Sequence, residues 1–210
     1  DSSSSSWRRD KKRAPDEMGW TTINACSGET IYDAMFNAEH TFLTCARDHP
    51  VTMYNTDSSS GNDTVATYPA TNRGEEHMNI NSLMVSDGSD VIFGGGHQTI
   101  FSWATTRPGR QQHRIDTKRN TRGHITSLDY TERGSLLAAG SSTGTNVALY
   151  DTRAQRCVID LQHALTTKAA AGEAVGCVRF CSEGEWVWAN VKSGDHIFGW
   201  DIRSPQDPLV

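Results

Sequence analysis

Four short segments decide how this chain is read: Val51-Thr52-Met53-Tyr54-Asn55, Ile100-Phe101-Ser102-Trp103-Ala104, Val147-Ala148-Leu149-Tyr150-Asp151 and Ile197-Phe198-Gly199-Trp200-Asp201. Each runs from a β-branched residue through two variable ones to an aromatic, then to Asp or another small residue. The aromatics stand at 54, 103, 150 and 200, so the spacings are 49, 47 and 50. A fixed period of this length marks a repeat architecture, in which one supersecondary unit recurs. Working outward, a strand rich in small residues precedes each segment: Phe42–Ala46, Val91–Gly95, Leu136–Ser141 and Trp186–Val191. A further apolar strand precedes each of those: Ile31–Phe36, Ile80–Val85, Ile125–Tyr130 and Val175–Cys181. The turns between them hold Asp87-Gly88, Glu132-Arg133-Gly134 and Glu183-Gly184, the residues tight turns need. Helical periodicity is nearly absent; only Leu161–Ala174 could form a short helix.

This pattern predicts an all-β protein. A four-stranded unit has two apolar faces and covers neither alone, so neighbouring units must stack on it. A ring of such units is a β-propeller. The Gly123-His124 pair and the closing Tyr150-Asp151 and Trp200-Asp201 match the signature of WD40 repeats. Four units are expected, at about 28–70, 76–118, 122–163 and 173–210, the last without most of its outer strand, and Trp20–Cys26 reads as the outer strand of an earlier one. The expectation is about four blades of a seven-bladed WD40 β-propeller spanning 20–210. Small side chains in the second strands suit an inner strand near the crowded channel of such a ring. Asp48, His124, Asp151, Trp200 and Asp201 take structural roles in this scheme, as turn-stabilising or anchoring residues.

Composition limits the function classes. The chain has 210 residues, with 36 % apolar residues and 18 glycines, an ordinary globular content for one domain or part of one. No apolar run approaches the ~20 residues of a membrane helix, so no membrane span is expected. Asp1–Arg13 carries no apolar stretch, so no signal peptide is expected. Residues 1–19 hold a serine tract and the basic cluster Arg8, Arg9, Lys11, Lys12 and Arg13. They read as a solvated linker or as a nuclear-import or RNA-contacting tail. The five cysteines are irregularly spaced, which suits buried thiols in a reducing compartment. Cys177 and Cys181, four apart in one strand, are expected on the same side of it.

No catalytic set emerges, and no cofactor or metal is expected. Gly94-Gly95-Gly96 follows a strand but leads into another strand, so no helix N-terminus is offered to a phosphate. One region departs from the net charge of -5. Arg107–Arg122 carries Arg107, Arg110, Arg114, Lys118, Arg119 and Arg122 against Asp116 alone, a local charge of +5. Arginine pairs bidentately with phosphate and stacks on bases, which suits RNA. The same charges would equally blunt an exposed edge strand. The two ends of the segment are expected on opposite faces of the ring.

Beyond pattern, several motifs occur in order. Gly28-Glu29-Thr30-Ile31-Tyr32-Asp33 resembles a GDTIYD-type opening of a blade in the telomerase Cajal body protein family. Arg47-Asp48-His49-Pro50-Val51 resembles that family's R-E-x-P-I segment, Arg107-Pro108-Gly109-Arg110 its RPGR turn, and Trp200-Asp201-Ile202-Arg203 with Lys192 its last recognisable blade. Tyr54-Asn55 and Trp103-Ala104 depart from WD, and 122–163 matches in pattern only. The resemblance implies a non-catalytic WD40 scaffold in the nucleus, in Cajal bodies or the telomerase particle. It implies binding to the CAB-box loop of H/ACA small Cajal body RNA and telomerase RNA. The implied protein partners are dyskerin-type H/ACA proteins and the telomerase reverse transcriptase complex. The RNA-binding candidates are Arg47, Arg107, Arg110, Arg114, Lys118, Arg119, Lys192 and Arg203. The competing expectation is a protein–protein adaptor that ignores RNA.

Overall fold

The computed structural model describes residues 29–37, 41–55, 64–144, 146–161, 174–191 and 197–205. Residues 1–28, the candidate helix interior 162–173, and Lys192 lie outside them. The described chain is all-β, built as four antiparallel sheets in chain order. The first is β1 (Ile31–Phe36), β2 (Thr41–Ala46), β3 (Val51–Asn55) and β4 (Thr64–Tyr68). The second is β5 (Ser82–Val85), β6 (Val91–Gly95), β7 (Thr99–Ala104) and β8 (Gln111–Asp116). The third is β9 (Arg122–Thr131), β10 (Leu136–Thr143), β11 (Val147–Asp151) and β12 (Arg156–Leu161). The fourth has three strands among the described residues: β13 (Val175–Phe180), β14 (Trp186–Val191) and β15 (Ile197–Asp201). Every strand pairs with its chain neighbour within its sheet. Four meandering sheets of this kind are compatible with a β-propeller. No helix among the described residues is long and apolar enough to cross a membrane.

Burial explains why the repeated segments are mostly apolar on both faces of the strand. The third strands of the second and third sheets have a neighbouring sheet on each face and do not alternate: Thr99–Trp103 and Val147–Tyr150 are buried throughout, as are Val51–Tyr54 of the first sheet. The four aromatics, Tyr54, Trp103, Tyr150 and Trp200, are all buried. Burying one large apolar side chain stabilises by roughly 1.5–3 kcal/mol, so each anchor fixes its strand. The fourth strands have one solvent-facing side and show mixed polarity instead. Three cores lie between consecutive sheets. Leu43, Met53, Ile80, Leu83 and Trp103 join the first two sheets. Phe93, Ile100, Ile125, Leu137 and Tyr150 join the second and third. Leu149, Val178, Val187, Phe198 and Trp200 join the third and fourth.

The order of strands follows the sequence pattern. The small-residue strands β2, β6, β10 and β14 are second in their sheets, and the first strands β1, β5, β9 and β13 lie against one another in succession along one edge of the stack, here called the inner edge. The small residues admit the first strand of the next sheet. A Cβ on Gly95 would lie 2.5 Å from Ile125 Cγ2, and one on Gly140 2.5 Å from Val175 Cγ1. Gly95 therefore belongs to sheet packing. Cys181 also falls beyond the end of its strand, with its amide bonded to the Trp186 carbonyl in the β13–β14 turn.

The inner edge raises a hydrogen-bonding problem. A first strand pairs on one side only, and its other side points buried amides at the preceding sheet. An unpaired buried amide costs about 1–3 kcal/mol. Side chains from the preceding first strand meet this need. The Leu83 amide donates to Asp33 Oδ2 at 2.8 Å, and the Leu128 amide to Ser82 Oγ at 3.1 Å. The Val178 amide donates to Ser127 Oγ at 3.1 Å, and the Phe180 amide to Asp129 Oδ2 at 2.5 Å. In the reverse sense, Thr126 Oγ1 donates to the Val175 carbonyl at 2.5 Å. The four accepted bonds span 50, 46, 51 and 51 residues, one repeat each.

Burial raises the pKa of Asp129 despite the Phe180 amide and Arg179, which pull it down. The folded protein therefore holds this proton more tightly than the unfolded chain does. That contribution is present below the unfolded value of about 3.9 and lost as pH rises through the folded one. Asp129→Asn keeps an acceptor without the charge. Urea midpoints from about pH 4 to about pH 7 should show the wild type losing stability relative to Asp129→Asn. A pH-independent difference would contradict this account.

Candidate nucleic-acid interface

The basic segment folds into β8 and the turns at its two ends. The first turn, Arg107-Pro108-Gly109-Arg110, is built for rigidity. Proline presets φ, and Gly109 sits at φ +77° with open space around its Cβ position, so glycine is needed there for conformation rather than room. Three hydrogen bonds tie its base to the first sheet. The Gly109 amide donates to the Thr67 carbonyl at 2.9 Å, the Tyr68 hydroxyl to the Thr105 carbonyl at 2.9 Å, and Trp103 Nε1 to the Pro69 carbonyl at 2.8 Å. Trp103 is thus an anchor beneath the turn and offers no exposed stacking surface. Arg107 and Arg110 are exposed and border a depression of about 210 Å³ with Gln112 and His113.

Along β8, Ile115 enters the core between the second and third sheets. His113, two residues earlier, shares that side, and its Nδ1 accepts from the Gln155 amide at 2.7 Å. Arg114 points to the opposite side and is half-buried. At the far end Lys118 and Arg119 are exposed in a turn closed by the Asn120 and Thr121 amides on the Thr117 carbonyl. Asp116, the one acid of the segment, accepts the Lys118 amide at 3.0 Å. The two basic turns therefore sit at opposite ends of a six-residue strand, about 20 Å apart at 3.3 Å per residue. Among the described residues, none of Arg107, Arg110, Arg114, Lys118 and Arg119 has an ion-pair partner.

The remaining candidates lie elsewhere. Arg47 stands in the β2–β3 turn of the first sheet, where its Nε donates to the Tyr32 hydroxyl at 3.3 Å; that bond, with Glu29 and Asp48 nearby, raises its pKa. Lys192 lies outside the described residues. Arg203 is engaged by the protein itself: Nε reaches Asp201 Oδ1 at 2.9 Å, Nη2 reaches Oδ2 at 2.6 Å, and Nη1 lies 3.3 Å from Glu185. Glu185 also pairs with Arg133 at 2.6 Å, which ties the third sheet to the fourth. A phosphate at Arg203 would have to displace this network.

The residues assigned structural roles occupy turns and edges. Asp48, at φ 57°, donates its amide to Asn79 Oδ1 at 2.8 Å, linking the first sheet to the approach to β5. Asp151 Oδ1 accepts the Arg153 and Ala154 amides, which order the β11–β12 turn and hold its carboxyl below the usual range. Trp200 is buried between the third and fourth sheets. His124 is exposed, with its amide on Ser142 Oγ at 2.9 Å and its ring edge-on to His97, 4.9 Å between centroids. Burial and the neighbouring His97 both lower its pKa.

The sequence alone does not reveal one cleft beside the basic segment. Gln155 and Arg156, from the third sheet, close an open cleft of about 530 Å³ with Lys118 and Arg119. These residues are almost forty positions apart, and only the stacking of sheets brings them together. No group of three or more His, Cys, Asp or Glu that could hold a metal ion is present among the described residues. No protein-family model and no curated protein matches the chain.

The side-chain and backbone bonds from Arg203 pull the Asp201 carboxyl down to about 2. The depressed value means the pair supports the fold above the unfolded pKa, and its contribution is lost as pH falls from about 3.9 toward 2. A carbon-13 titration of the Asp201 carboxyl should give a midpoint near 2. Arg203→Ala should raise it toward about 3.9. An unchanged midpoint in the variant would show that Arg203 does not hold the carboxylate.

Proposed function

We propose that this chain is a non-catalytic RNA-binding scaffold of WD40 type, part of a β-propeller with more blades than the four sheets described. The observation that carries the RNA reading is the set of exposed cations in the turns at the two ends of β8, with half-buried Arg114 between them, all without ion-pair partners among the described residues. Arg203 and Arg133 show that arginines of this protein pair with acids where acids are near. The β8 cations are left to meet an anion from outside. A larger ring is supported by the placement of exposed apolar side chains. Ile31, Tyr32, Phe36 and Val65 lie on the first sheet and Trp188 and Ile197 on the last, with Val158 alone on the third, on its outer strand β12. Further sheets would cover those of the first and last sheets as the inner sheets cover each other.

The resemblance of GETIYD and RPGR in register narrows the reading. The RNA would be an H/ACA small Cajal body RNA or telomerase RNA, held at its CAB-box loop. The partners would be dyskerin-type proteins and the telomerase reverse transcriptase complex, in the nucleus. A rigid ring would place guanidinium groups on phosphates while unpaired loop bases stack on planar side chains.

Arg107→Glu with Arg110→Glu tests this. The turn is exposed and held by backbone bonds, so the double variant should keep the wild-type circular dichroism spectrum. Its affinity for a CAB-box hairpin should fall at least about tenfold near physiological salt. Wild-type binding should weaken steeply with salt, with a log–log slope of roughly −0.7 per phosphate contact. Unchanged affinity in the folded variant would remove these arginines from the interface. Absence of RNA binding by the wild type would leave the adaptor reading.

A further inference from the structure

The cleft between the second and third sheets contains more than the basic segment of the sequence. One wall is the turn after β8, with Lys118, Arg119 and Asn120; the other is the start of β12, with Gln155, Arg156 and Cys157. Three of these side chains are cationic and two are amides. Asp116 also lines the cleft, leaving three cations against one acid, and it accepts the Lys118 amide through Oδ1. Arg156 is exposed; it lies opposite Asp151 in the β11–β12 pair and helps to hold that carboxyl low, but no close ion pair engages it among the described residues.

The wall from the third sheet is positioned by named contacts. Asp151 orders the β11–β12 turn by accepting two of its amides. Gln155, at φ 54°, then turns its side chain onto His113 of β8 at 2.7 Å. Asn146 Nδ2 bridges the Asn120 carbonyl at 2.6 Å and Asp160 Oδ1 at 2.7 Å, fixing the opposite turn against the third sheet. The cleft is therefore a product of the sheet junction, an open groove between two walls.

The geometry points to this cleft as a second phosphate-binding segment of the RNA path, with Arg156 as a contact residue alongside Lys118 and Arg119. The inference rests on the RNA reading above and extends it from one sheet to two. The Arg107–Arg110 turn and the cleft lie at opposite ends of β8, about 20 Å apart. One phosphate cannot touch both, whereas a single strand laid along β8 touches each in turn. The ligand is accordingly an unpaired RNA segment of several nucleotides, bound mainly through its backbone. A protein ligand with an acidic surface is the alternative outcome.

The test uses the full 210-residue chain and a fluorescein-labelled single-stranded oligouridine of about 12 nucleotides, read by anisotropy over a salt series. Arg156→Glu should weaken binding about tenfold and flatten the salt slope by roughly 0.7, the share of one lost contact. Arg153→Glu is the control: it carries the same charge change in the same turn, is exposed, and does not line the cleft. Equal losses in the two variants would overturn the inference, because diffuse charge rather than the cleft would then explain binding. A wild type that binds, is weakened by the Arg107–Arg110 double variant and is indifferent to Arg156→Glu would overturn the inference alone. A wild type that ignores the oligonucleotide but captures an acidic peptide would overturn both readings.

Discussion

The structure depends on what happens at the inner edge of each sheet. A meander of strands leaves the first strand half-paired, and stacking buries that unpaired side against the preceding sheet. Asp33, Ser82, Ser127 and Asp129 remove the penalty by accepting amides from the next first strand. Each bond crosses one repeat. The repeat period is therefore a hydrogen-bonding period as well as a packing period, and insertions between these partners are confined to the loops. Apolar burial supplies most of the stabilisation between sheets, but it is non-directional. The side-chain-to-amide bonds set which residue of one sheet faces which residue of the next.

That register places the candidate interface. Trp103 and Tyr68 pack across the junction of the first two sheets and hold the base of the Arg107–Arg110 turn. Ile115 seats β8 against the third sheet, which brings Arg156 opposite Lys118 and Arg119. The exposed cations thus sit at the two ends of the solvent-facing fourth strand while the rest of the sheet is fixed by its packing. A rigid platform with charge on its outer strand suits a ligand recognised through its backbone.

Much of the fold was legible because both faces of the inner strands are buried. Continuous apolar runs with an aromatic at a constant spacing leave few alternatives, and Gly-containing turns set the strand ends. The sequence reading missed the inner-edge acceptors because a Ser or Asp within an apolar strand carries no local mark of its partner, 46 to 51 residues away. Their recurrence at the repeat spacing is the signal that could have revealed them. The same limit applies to the interface. The Arg107–Arg119 run is continuous in sequence and could be seen there, whereas Arg156 joins it only through stacking. Arg203 looked like another candidate because a basic residue and its acid partner two positions back read as separate charges in a sequence. In the folded chain they are a chelated pair.

Native-state hydrogen exchange at the amides of Leu83, Leu128, Val178 and Phe180 tests the central claim most directly. These amides face away from their own sheet's ladder, so only the neighbouring sheet can protect them. Protection equal to that of the interior strands β7 and β11 is the predicted result. Exchange at the rate of an open sheet edge would contradict the account, because the sheets would then be stacked without the bonds that set their register.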